Sequence, residues 1–188
     1  MTAAFSAAYL AGFTAFAAAR GDRRVLAYLV VWAVLAAAVA AIHRRWPLPR
    51  HVLLALSAAG AVHLAGGLLP SPEADASAPI LYEAWIVPGL VKFDQLAHAA
   101  ISAVVTVAAY HLLGQLLDPR QAGAATRAML AVVVCWGFGA ANELFEFVSA
   151  LRFDDAFVGD FSNAGWDLVF NTAGSAAAAV WLATPSRA

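Results

Sequence analysis

The sequence predicts an all-α integral membrane protein: one domain over residues 1–188, a bundle of about six transmembrane helices. Three observations carry this. Of 188 residues, 63% are hydrophobic and only 12% charged, with a mean hydropathy of +0.75, whereas a soluble domain holds about 25% charged residues. The apolar residues lie in six near-continuous runs, each close to the ~20 residues that cross a bilayer core. None of these runs alternates apolar and polar positions as a barrel strand would.

The runs fall near residues 3–19, 25–42, 52–69, 95–117, 127–151 and 165–183. The first ends in small residues, as a signal peptide does, but no Lys or Arg precedes its apolar stretch, so it reads as a retained helix. RGDRR at 20–24, HRRWPLPR at 43–50 and DPRQAGA at 118–124 separate neighbouring runs. Ala, Gly and Ser are frequent throughout and predict closely approaching helices. The connection 70–94 begins polar and Pro-rich, then continues with Leu81, Tyr82, Trp85, Ile86 and Pro88. Its segment 80–91 is too short to span and carries interfacial aromatics. It is expected as a short helix on the membrane surface, with Tyr82–Trp85 placed to act as a lid. Residues 152–164 form the second long connection, with Asp154 and Asp155 solvated.

With six spans, the connections 20–24, 70–94 and 152–164 share one face. The opposite face carries six basic residues (Arg44, Arg45, Arg50, Arg120, Arg127, Arg187) against five on this one (Arg20, Arg23, Arg24, Lys92, Arg152). The positive-inside rule then places the 70–94 face outside the cytoplasm of a multi-pass plasma-membrane protein. The net charge of −1 argues against a nucleic-acid partner. The single cysteine, Cys135, excludes an internal disulfide and a Cys-based metal site, and its apolar neighbours mark it as a packing residue. His43 and His51 flank an Arg-rich loop and are expected to be solvated.

The ionisable residues converge on the 70–94 face. Asp94 and His98 open the fourth helix at i, i+4 and share one side. Glu143 and Glu146, within ANELFEF at 141–147, close the fifth at i, i+3. Asp167 and Asn171 open the sixth at i, i+4. His63 lies about two turns from the corresponding end of the third helix. Polar contacts between membrane helices contribute only about 0.6–2 kcal/mol each, so an Asn or His can serve as helix glue. A charge at mid-bilayer costs about 2.5–3.5 kcal/mol or more. Four carboxylates here face at most two histidines, with Lys92 and Arg152 at the ends free to snorkel. Protonation, hydration in a cavity or a bound cation must balance the acids, and each is a functional condition.

Three blocks, FDQLAHAA at 93–100, NELFEF at 142–147 and GDFSNAGWDLVFNTAGS at 159–175, resemble those of the VanZ-like membrane protein superfamily, and most closely its YjdF-type inner-membrane branch. That pattern is Asp-x-x-x-His, then Glu near the next helix end, then Asp-x-x-x-Asn-x-x-Gly. Here its positions are Asp94 and His98, Glu143 with Glu146, and Asp167, Asn171 and Gly174. Gly159 and Asp160 match the Gly-Asp that opens the last block, although FSNAG replaces the residues that usually follow it. The resemblance covers about the last 95 residues and implies a link to cell-envelope lipids.

The residues leave three function classes open. In the first, an enzyme at the membrane surface acts on a lipid or lipid-linked headgroup. Asp94, His98, Glu143, Glu146, Asp167 and Asn171 form its catalytic set, and His63, Asp160 and Gly174 its binding set. Buried carboxylates beside an imidazole suit general acid–base work. His98, Glu143, Glu146 and Asp167 could also hold a divalent metal, with oxygen-rich ligation favouring Mg or Mn and the imidazole allowing Zn or Fe. Glu143-x-x-Glu146 resembles half of a diiron carboxylate site, but the Glu-x-x-His partners are missing. The second class is a non-catalytic binder or transporter, although apart from His111 and Gln115 no ionisable set lines the opposite half. The third is an assembly subunit packing through stretches such as GAVHLAGG at 60–67.

Overall fold

A computed structural model describes residues 2–72, 79–120, 122–151 and 159–184. Arg152, Asp154, Asp155 and Arg187, and the polar part of the 70–94 connection at 73–78, lie outside them. The described residues form six long helices: α1 (Thr2–Ala19), α2 (Arg24–Arg45), α3 (Arg50–Leu68), α4 (Phe93–Leu116), α5 (Ala124–Ala150) and α6 (Phe161–Ala183). The fold is that of an all-α membrane protein. The helices α1 to α5 are long and apolar enough to cross a membrane. At 23 residues α6 is long enough too, but Asn163, Asp167, Asn171, Thr172 and Ser175 dilute its apolar content. Large apolar side chains point outward on these helices, among them Leu26, Val30, Val34, Met129, Phe145 and Trp181. In water such a surface would associate; against lipid it needs no cover.

The chain divides into two compact units, residues 1–97 and 98–188. In the first, Ala17, Val25, Leu64 and Leu68 form a buried core that Tyr9, Phe13, Tyr28 and Trp32 surround. The indole N–H of Trp32 donates to Tyr9 Oη at 2.7 Å, and Ser6 pairs with Ser57 at 2.6 Å. A buried hydroxyl or indole in an apolar medium must find such a partner. Between α1 and α2, Gly21 takes φ +67° and Arg24 grips Asp22 with two side-chain bonds of 2.9 and 2.7 Å. His43 is not left to solvent: its Nδ1 accepts the Leu48 backbone N–H at 2.9 Å and ties off the end of α2.

Segment 80–91 is not a surface helix. One turn of 3-10 helix at Leu81–Glu83 leads into a hairpin of β1 (Trp85–Val87) and β2 (Val91–Lys92). The reason lies in the turn and the residues that flank it. Pro88 cannot continue a helix, Gly89 sits at φ +71°, and the Leu90 N–H closes the turn on Val87 O at 2.9 Å. Pro then Gly is the pattern of a type II turn, and Ile86, Val87 and Val91 favour strand. Lys92, expected to snorkel, instead pairs with Glu83 and lies over the Trp85 ring.

The second unit holds α5, α6 and α4 from His98 onward. Helices α4 and α6 approach closely at one point. A Cβ on Gly174 would stand 1.9 Å from the Ala99 carbonyl oxygen, so only glycine lets the two backbones meet there. Hydroxyls along the helices bond back one turn: Thr106 to Ser102 O, Ser175 to Asn171 O and Thr172 to Leu168 O, each at 2.8 Å. This satisfies them without water. Cys135 is buried, as packing predicts, and its thiol also donates to Ser102 O at 3.3 Å.

Candidate functional site

The site of the second unit grows from three helix ends. By a rise of 1.5 Å per residue, His98 stands about 8 Å into α4, Asp167 about 9 Å into α6 and Glu143 about 10 Å before the end of α5. Asp160 starts α6: its carboxylate accepts the Asn163 N–H at 2.9 Å, a standard N-cap bond. Gly159 at φ +74° turns the chain into that cap. Asp160 is itself exposed, so capping accounts for it.

Asn171 is the hub. It is 4% exposed, and its Oδ1 accepts the Ser102 hydroxyl at 2.6 Å and faces His98 Nδ1 at 3.2 Å. An amide oxygen only accepts, so this places the imidazole proton on Nδ1 and leaves the Nε2 lone pair for chemistry. Nε2 lies 3.9 Å from Asp167 Oδ2, beyond hydrogen-bond length. Asp167 is fully buried and accepts Asn163 Nδ2 at 2.6 Å. On α5, Glu146 accepts Asn142 Nδ2 at 2.8 Å. Ligand atoms of His98, Glu143 and Glu146 lie within 4.8 Å of one another.

Glycine shapes this site as well. A Cβ at Gly139 would stand 2.9 Å from Asn171 Nδ2, and that nitrogen has no hydrogen-bond partner among the described residues. Gly139 lies one turn before Glu143 and on the same face of α5. The free amide is therefore aimed at the wall that carries the glutamates.

Of the expected residues, this unit brings together His98, Glu143, Glu146, Asp167 and Asn171, with Gly174 at the α4–α6 crossing. Asp94 is buried in the first turn of α4, one turn before His98, where a carboxylate also complements the helix N-terminus. His63 belongs to the first unit. Tyr82 Oη meets its Nδ1 at 2.7 Å, and the Tyr28 and Tyr82 rings pack on it at 5.2 and 6.0 Å. Tyr82, expected in a lid, is seated in a notch of α3, where a Cβ on Gly66 would stand 2.2 Å from its ring. Ser102, Gly139, Asn142 and Asn163 were not expected. Each lies one helical turn from an expected residue, and that spacing was the signal available.

The chain belongs to a family of predicted membrane proteins, DUF2238, whose model matches residues 1–187. No curated protein and no solved structure matches it. It is a multi-pass membrane protein.

Proposed function

We propose that the chain is a VanZ-like membrane protein of the YjdF-type branch, and that its His98 site engages the headgroup of a lipid or lipid-linked envelope molecule. One observation carries the reading: a fully buried carboxylate, Asp167, stands 3.9 Å from the imidazole of His98. An ionisable group inside a membrane segment is costly and marks a site by default. Membrane lipids are the partners such a site would meet, and the plasma membrane, with the site toward the extracytoplasmic side, is the location this reading implies.

The chemistry follows from the side chains. With its proton on Nδ1, His98 presents the Nε2 lone pair as the donor of the site, to a proton or to a cation, with Asp167 beside it. Asn171 and Ser102 hold the ring against rotation, and the Asn171 Nδ2 donor supplies a hydrogen bond to an oxygen of the headgroup. Glu143 and Glu146 give the site an acidic wall that favours a cation or a protonated group.

Native mass spectrometry of the detergent-purified protein tests this. Wild type is expected to retain lipid, and His98→Gln and Asp167→Asn to lose it. Equal retention by all three would refute the reading.

A further inference from the structure

We infer that His98, Glu143 and Glu146 bind one divalent transition-metal ion, with Asn171 and Ser102 orienting His98 so that Nε2 is the ligand. The inference rests on the proposed function of this same site. Its first support is the tautomer. Asn171 Oδ1, which also takes the Ser102 hydroxyl, fixes the His98 proton on Nδ1. That leaves Nε2 as the ring atom able to ligate, with the Asp167 carboxylate beside it at 3.9 Å.

The second support is the number and kind of donors. His98, Glu143 and Glu146 bring one ligand atom each to within 4.8 Å of one another. One imidazole with several carboxylates suits Mn2+, Fe2+ or Zn2+. It matches poorly with Mg2+, which keeps its waters and prefers oxygen alone.

The third support is independent of the ligands. Asn171 is 4% exposed, and its Nδ2 has no acceptor among the described residues. It points to the face of α5 at Gly139, one turn before Glu143. An oxygen bound to the ion, from water or from a headgroup phosphate, is the acceptor this donor lacks. The hydrogen bond from His98 Nδ1 to Asn171 is the outer-shell bond that ligating histidines regularly make.

The test uses the full-length protein in detergent, stripped with chelator and titrated with Mn2+ alone, then with Zn2+ alone. Bound metal is counted by elemental mass spectrometry after dialysis. Wild type should hold one ion per chain and Glu143→Gln/Glu146→Gln none. Asn171→Ala keeps all three ligands, and its affinity should fall about 10- to 100-fold. The electron spin echo of bound Mn2+ in the wild type should show modulation from a coordinated imidazole nitrogen, absent in His98→Gln, which answers the question even if the double variant does not fold. No stoichiometric ion in the wild type, or equal binding by the glutamate variant, would overturn the site. Lipid retention is measured on the same preparation. An ion-free chain that still retains lipid overturns the metal site alone. A metal-loaded chain that retains none overturns the lipid reading and supports the metal site.

Discussion

The two units each hold a half-buried histidine near a helix end, and they treat it differently. His63 is enclosed by phenols: Tyr82 bonds its Nδ1, Tyr28 and Tyr82 flank its ring, and Gly66 and Gly67 remove side chains so that both tyrosines fit against α3. His98 is enclosed by carboxylates and an amide. Phenols hold the ring in place through a hydrogen bond and ring packing. Carboxylates keep a charge question open in a medium where charge is costly. Histidine in a membrane helix is therefore not informative by itself; its neighbours decide whether it is mortar or chemistry.

The largest effect should come from the backbone crossing of the second unit. Gly174→Ala drives a methyl into the Ala99 carbonyl, which cannot step aside. We expect a loss of about 1–3 kcal/mol, seen as a fall in the thermal unfolding midpoint in detergent, together with loss of lipid retention. Gly66→Ala in the first unit meets only the ring of Tyr82. Its cost should be smaller, about 1 kcal/mol, and lipid retention should be unchanged. If both substitutions were equally damaging, backbone contact would not be what sets the α4–α6 crossing.

Tyr82→Phe removes the hydroxyl that meets His63 Nδ1 at 2.7 Å and the His63 carbonyl at 3.2 Å, and keeps the ring. Hydrogen bonds between membrane helices average about 0.6 kcal/mol, so the shift in unfolding should be slight. A total loss of function in Tyr82→Phe would erase the contrast between the two histidines. The smallest effect concerns the α1–α2 turn. Arg24 bonds the Asp22 carboxylate and holds its pKa below the ordinary aspartate value, with burial opposing and Arg20 adding a weaker pull. A lowered folded pKa means the stabilisation is present above the unfolded pKa and is lost as pH falls through the folded one. Asp22→Asn should therefore lower stability slightly at neutral pH, leave it unchanged in strong acid, and so flatten the acid limb of the stability–pH curve.

Helical spacing made much of this legible. Six apolar runs of bilayer length mark the six long helices, and the i, i+4 and i, i+3 pairs mark the residues gathered around His98. The rest was hidden for identifiable reasons. The hairpin at 85–92 was masked because its apolar content suggested an interface helix, while Pro88-Gly89 carried the turn. Gly139 carries no side-chain signal at all; its role appears only when Asn171 reaches across from another helix. Ser102 and Asn163 were one stride from His98 and Asp167 and could have been found by following the helical face.

The central claim is that the His98 cluster performs chemistry or binding rather than holding helices together. The most direct measurement compares unfolding midpoint and lipid retention in wild type and Glu143→Gln/Glu146→Gln, side by side. Glutamine keeps the size and the hydrogen bonds but removes the charge. In chelator-stripped protein the account predicts equal or higher stability, since removing neighbouring like charges relieves repulsion, together with lost lipid retention. Lower stability with lipid retention intact would make the cluster structural and contradict it.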